Sequence, residues 1–487
     1  MQVRSRAKVL PLLVERLVDV WRQASHGACL ASSIFTWTAA EERKVVRKLD
    51  LNLVGFICLL ETLAYVDRAN FGNARTAGMQ KEVGFSSAQY TLLLQIYFVF
   101  YLAFQFLLLG WKVIPPNVYV AVLALGWGTT SMAQAGAKSW GSLMACRAIL
   151  GIFEAGFIPG VALYFSFFYN RREIGLRYGL FISTAAVAGM YAGSLAYGLV
   201  QAHTSIRPWQ LLFVVEGVPT ILCVPFAWYW IAPAPGKARY LDERQNLISK
   251  YRLIAQGNSG RTAGISVAQI LQAFKDPIAY LYAAIIFCVN MAFSSLPVFL
   301  PTLIEEMGFT SIRAQGLSAA CYIPAFIVCI TGTYVSDRTG YRGPIFVTLI
   351  TIGAAGYLIL ANTETTGVQY FAVFVATAGL YAAVPIVFVS LMNNNADESR
   401  RGAGLTIFGT IGQCGPLAGL TLFPSKDGPC FHHGHFSSAG VLLLAAFLAF
   451  PLMWYLRRQN KKRDRETARV AAEGGDPASV NSFRFII

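Results

Sequence analysis

Charge is what this chain has least of. Only 13% of its 487 residues are Asp, Glu, Lys or Arg, while 55% are hydrophobic, and the mean hydropathy is +0.50. Soluble globular domains carry about a quarter charged residues, so that class is excluded. The nine cysteines are scattered singly, with no C-x-x-C pair. They read as small core hydrophobes, and only Cys430 falls in an expected external loop, so no disulfide framework is implied. No N-x-S/T sequon occurs, and no Walker loop, nucleophile elbow or zincin motif, which leaves little support for a membrane enzyme. The first 35 residues are basic but interrupted by Glu15 and Asp19. They lack the apolar core of about 7–15 residues that a cleaved signal needs, and so read as a flexible cytoplasmic tail.

What the chain has instead is apolar runs. Windows of about 20 residues cross about 30 Å of hydrocarbon as helices. They occur near 49–73, 88–109, 117–136, 140–168, 176–200, 209–231, 278–303, 315–335, 343–363, 368–392, 403–424 and 438–457. The pattern predicts an all-α polytopic membrane protein with twelve transmembrane helices. The longest internal connection, 232–277, is polar, basic and punctuated by APAPGK and GNSGR. It separates a six-helix bundle over 49–231 from a second over 278–457, with tails at 1–48 and 458–487. Within it, YLDERQNLISKY has helical periodicity with polar faces and is expected to lie on the cytoplasmic surface. Transporters built of two such bundles place substrate between them near the bilayer midplane.

Lys112, Arg171, Arg172, Arg177, Arg338, Arg342, Arg400 and Arg401 fall in even-numbered connections, and both tails are rich in Lys and Arg. The odd-numbered connections hold Arg75, Lys81, Lys138, Arg207, Arg313 and Lys426. By the positive-inside rule both termini are cytoplasmic. The net charge of +15 then reads as orientation signal and contact with anionic lipid, with no nucleic-acid partner.

Against this background, AYVDRANFGNA (64–74) is out of place. An Asp or Arg in hydrocarbon costs on the order of 3 kcal/mol even on lenient scales. Away from the ends of the expected spans the charged residues are Glu61, Asp67, Arg68, Arg147, Glu154 and Glu216, all in the first half. Arg147 and Glu154 stand seven apart, two helical turns, and so share a face. That face is expected to look into the bundle, where two cations and two anions neutralise one another when no substrate is bound. One reading is buried ion pairs joining helices, which stabilise little; the favoured one is a transport site. Arginine offers a carboxylate a planar fork, and a neighbouring carboxylate that loses its arginine to a substrate anion takes up a proton. Glu61 points partly away from Asp67, toward a neighbouring helix or a water-filled crevice. Glu216 is a third carboxylate of the site or, by preference, a hinge contact in the outer third of its span. Gly189-x-x-x-Gly193 suggests close helix packing, with a glycine-lined substrate path as the alternative. Pro159, Pro219, Pro225, Pro297, Pro324, Pro385 and Pro451 predict kinks.

These residues lie in motifs that resemble a known family. YVDRANFGNARTAGM (65–79), RAILGIFEAGFIPG (147–160), YNRREIGLR (169–177), PWQLLFVVEG (208–217), FKDP (274–277) and YLRRQNKKRDRE (455–466) occur in order, with GTYVSDRTGYRG (332–343) similar to a G-x-x-x-D-R-x-G-R loop. The chain resembles the major facilitator superfamily, and within it the anion:cation symporters of the fungal allantoate permease group. The resemblance implies that Asp67 and Glu154 couple protons, that Arg147 links them to substrate, and that Arg68 contacts the substrate carboxylate, with Asn70 a weaker candidate. Asn290 and Gln413 are polar residues of the second half that complete the pocket or bond helix to helix. Two positions depart from the family: Gln105 stands where relatives commonly have glutamate, in a shortened second span, and Ser390 where they often have tryptophan. HHGH (432–435) is expected in a solvent-facing loop without metal, since Asp427 is its one nearby carboxylate.

The expectation is a proton-coupled importer of a small organic anion, such as allantoate, nicotinate or another vitamin or aromatic acid. It would work as a monomer by alternating access in the plasma membrane, driven by the proton gradient with no cofactor. The alternative is a membrane nutrient sensor that binds such an anion without moving it. The tails carry no recognisable signalling domain, which favours transport.

Overall fold

The first helix begins at a capping box: Thr38 accepts from the Glu41 N–H at 3.2 Å, and the Glu41 carboxylate accepts from the Thr38 N–H at 2.9 Å. From there Ala39–Ala74 is helical throughout, with one wide turn at Asp50–Val54. The chain kinks at Gly78, whose φ of 101° only glycine adopts without strain. The computed structural model describes residues 36–170, 173–200, 205–254, 267–308, 311–395, 398–419, 421–423, 431–473 and 484–486. The first 35 residues, Arg171, Arg172, Lys426, Asp427 and Cys430 lie outside them.

Among the described residues all regular structure is helical. The second span is Ser87–Ala103 continued by a tighter Gln105–Leu109 turn, the third Pro116–Ala135, and the fourth Trp140–Ala155 with Ile158–Phe168. The fifth and sixth are Ile174–Val200 and Pro208–Trp230, the seventh Pro277–Glu306 and the eighth Ser311–Thr339. Arg342–Asn362, Thr366–Asn393, Glu398–Gly412 with Cys414–Gly419, and His432–Ala472 complete the twelve. Among the described residues nine helices are long and apolar enough to cross a membrane, or ten if the bent pair Ala77–Val83 and Ala88–Ala103 is one span. The third falls short because Thr129, Thr130, Ser131 and Gln134 dilute it, the eleventh because it breaks at Gln413.

Helix contacts repeat with an offset of six. The first helix packs on the fifth and sixth, the second on the fourth, and the third on the fourth and sixth; the seventh packs on the eleventh and twelfth, the eighth on the tenth, and the ninth on the tenth and twelfth. The bundles meet where the fifth lies on the eighth and the second on the eleventh. On the first seam Gly175 and Gly179 lie against Asp337 and Thr333, and Asp337 Oδ2 accepts from the Leu176 N–H at 2.6 Å. On the second, Gly409 faces Gln105, and Gly402 faces Leu109 and Leu163. These contacts lie at the end of the molecule that carries both tails.

Several expectations change. Helices run through Pro219, Pro225, Pro324, Pro385 and Pro451; the breaks fall at Phe104, Gly156–Phe157 and Gln413, with only Pro159 beside one. A Cβ on Gly193 would have nothing within 4 Å, so the close-packing glycines of the fifth helix are Gly175 and Gly179. HHGH is not a solvent-facing loop: it opens the twelfth helix, with His435 only 3% exposed. That helix continues past 457 to Ala472, because backbone bonds close within the helix whatever surrounds it. In the long connection, Glu243–Ile254 is a helix whose Arg252 is buried, donating to Phe168 O at 2.8 Å and pairing with Glu173 at 2.9 Å. It thereby caps the fourth helix and ties the connection to the first bundle.

Candidate functional site

The first and fourth helices bring four of the expected charges together. Arg68 forms an ion pair with Glu154, and Tyr97 donates to the same carboxylate oxygen at 2.7 Å. The Arg68 guanidinium lies 5.7 Å from the Tyr97 ring centroid and 5.9 Å from that of Tyr101. Asp67 is wholly buried and accepts from Ser131 of the third helix at 2.9 Å. Its other oxygen has no hydrogen-bond partner. Asn70 donates to Glu216 of the sixth helix and accepts from Asn73.

Arg147 behaves differently. It is 2% exposed, and its guanidinium stacks 3.5 Å from the centroid of Phe71, which itself stacks on Tyr90. Among the described residues its Nε and Nη2 meet no acceptor. Asp67, Glu154, Tyr90 and Tyr97 are its electrostatic neighbours. The expected mutual neutralisation is therefore uneven: Arg68 is paired, and Arg147 is held by a ring face. Glu61, 2% exposed, keeps one oxygen without a partner and feels both Arg68 and Glu154. Glu216, 3% exposed, joins the cluster through Asn70 rather than standing apart as a hinge contact.

The second bundle supplies an aromatic wall. The Tyr65 hydroxyl is 3.4 Å from that of Tyr381, whose ring lies 4.6 Å from Phe293 and 5.8 Å from Tyr322. Asn290 instead donates to Gly412 O at 3.1 Å, a helix-to-helix bond, and Gln413 is half-buried at the eleventh-helix break. Among the described residues no hydrogen bond joins either of them to the charged cluster. Ser390 bonds Tyr282 at 2.6 Å. His432 Nδ1 lies 2.7 Å from Ala361 O, His435 packs on Phe423 and Tyr357, and among the described residues no group of three metal ligands forms.

Sequence reading missed Ser131, Phe71, the two tyrosines of the second helix and the aromatic wall. Tyr97 and Tyr101 carried a weak signal, since four-residue spacing sets them on one face. Ser131 carried none.

Residues 57–420 match the Major Facilitator Superfamily. The chain is 29% identical to an uncharacterized transporter of Schizosaccharomyces pombe, over 86% of this chain and 88% of that one. It is 26% identical to the high-affinity nicotinic acid transporter of Saccharomyces cerevisiae, over 87% of this chain and 79% of that one. In fold it is similar to the proton:xylose symporter XylE bound to 6-bromo-6-deoxy-D-glucose, at a TM-score of 0.62 and 14% identity, over 82% of this chain and 95% of that one.

Proposed function

Because this chain belongs to the Major Facilitator Superfamily, we propose that it imports a small aromatic or nitrogen-containing monocarboxylate together with protons, across the plasma membrane and with both termini cytoplasmic. The observation that carries this reading is Arg147, a buried guanidinium with two N–H groups that no described residue accepts from and with Asp67 and Glu154 among its electrostatic neighbours. A carboxylate is the acceptor that such a fork lacks.

Arg68 is bound to Glu154 until a proton reaches that carboxylate. The proton removes the anion that holds Arg68, which then joins Arg147 on the incoming carboxylate. Proton and anion together add no net charge to a site where uncompensated charge is expensive. Four buried carboxyl groups, Glu61, Asp67, Glu154 and Glu216, accompany two guanidiniums, so an empty neutral site needs two protons. Asp67, oriented by Ser131, draws Arg147 back once the substrate has left. Asn70 bridges this group to Glu216. The substrate ring lies against Tyr65, Tyr381, Tyr322 and Phe293, with Asn290 and Gln413 on the second-bundle side. The nicotinic acid named for the yeast relative has this chemistry.

The test is uptake of labelled nicotinate, benzoate, allantoate, pantothenate and biotin by cells lacking their own permeases, at acidic and neutral external pH. Wild type is expected to take up an aromatic member faster at acid pH. A lost charge-assisted hydrogen bond is worth about 1.5–3 kcal/mol, so Arg147→Ala, reaching the membrane normally, should weaken uptake by about tenfold to a hundredfold. Glu154→Gln should flatten the pH response. Undiminished uptake by Arg147→Ala would overturn the assignment.

A further inference from the structure

We propose that Arg484–Ile486 is a strap, docked on the second bundle of its own chain, that favours closure of the tail end of the molecule. Two asparagines read its backbone. Asn460 of the twelfth helix donates to Phe485 O and accepts from the Phe485 N–H, both at 2.9 Å. Asn394, at the end of the tenth, donates to Ile486 O at 3.0 Å and accepts from the Ile486 N–H at 2.8 Å. Each amide thus satisfies both peptide groups of one residue, as a neighbouring β-strand would. Side chains set the register: Arg484 bonds Asp464 at 2.8 Å, and the Arg463 guanidinium lies 4.5 Å from the Phe485 ring centroid.

Asn394 links the strap to the seam between bundles. It is 5% exposed and also donates to Tyr282 at 2.8 Å, so the anchor is buried and fixed. The next residue, Asn395, accepts through its backbone carbonyl from Arg401 Nε at 3.3 Å and Nη2 at 3.1 Å, which ties the end of the tenth helix to the eleventh. Gly402 follows, against Leu109 and Leu163 of the first bundle. The strap braces the turn that delivers this contact. Removing it loosens the turn, and the tail ends part more often. This inference concerns the seam and does not depend on the substrate.

Cys329 is a native reporter of that parting: it is buried between the fifth and eighth helices, with Sγ 3.5 Å from Gly179 O. The experiment takes the full chain in lipid nanodiscs and follows amide hydrogen exchange at Phe485 and Ile486 beside N-ethylmaleimide labelling of Cys329, both by mass spectrometry. Wild type should protect both amides. Asn460→Ala and, independently, Phe485→Ala should speed their exchange on the order of tenfold and label Cys329 severalfold faster. Free-chain exchange in wild type would overturn the docking. Released amides with unchanged Cys329 labelling would overturn the link to closure.

Discussion

A buried carboxylate is only as secure as its donors. Among the described residues Ser131 supplies the one side-chain hydrogen bond to Asp67, whose other oxygen has none. Ser131→Ala therefore leaves a buried polar group unsatisfied, which costs about 1–3 kcal/mol. Thermal unfolding of the purified protein should show it, and Ser131→Thr, which keeps the hydroxyl, should lose much less. Asp67, Arg68, Arg147 and Glu154 were legible in the sequence because a charge inside an apolar run stands out. Ser131 and Phe71 were not, because a small hydroxyl or a ring suits any membrane helix. The pairing was hidden too: helical spacing put Arg147 and Glu154 on one face, but only the fold shows that Glu154 binds Arg68 while Arg147 rests on Phe71.

The breaks in the second and fourth helices free backbone groups, and side chains take them up. Trp111 Nε1 donates to Gly156 O at 2.8 Å, and Gln105 to Ala155 O at 3.4 Å, while Tyr119 donates to Leu107 O. This is how irregular backbone is tolerated away from water. Trp111→Phe keeps an aromatic ring but loses the indole N–H and some core volume, and it strands the Gly156 carbonyl at a cost of at least about 1–3 kcal/mol, readable as lost thermal stability. Each apolar window coincides with a helix; the breaks leave no mark in hydropathy, and only one of them has an expected kink proline, Pro159, beside it. The departure at Gln105, visible from the start, proves to sit at a junction, touching the fourth-helix break and Gly409 across the seam.

At the scale of the molecule, the long polar connection announced two halves, and helix contacts repeat six helices on. Which helices meet across the seam was not legible. Every span is apolar, and the glycine pair that drew attention, Gly189 and Gly193, lies farther along the fifth helix than the pair that makes the close approach. The loop signature at 332–343 did mark the spot, for its Asp337 bonds both Arg342 at 2.7 Å and the start of the fifth helix. Asp337→Ala should weaken the seam, and Cys329 labelling by N-ethylmaleimide is expected to quicken severalfold.

The carboxylate that caps the fifth helix belongs to the other half of the chain. When the bundles part there, the Leu176 N–H loses its acceptor and the positive end of the helix loses its counter-charge. Each half is in this sense a ligand of the other, and the resting seam is a binding equilibrium.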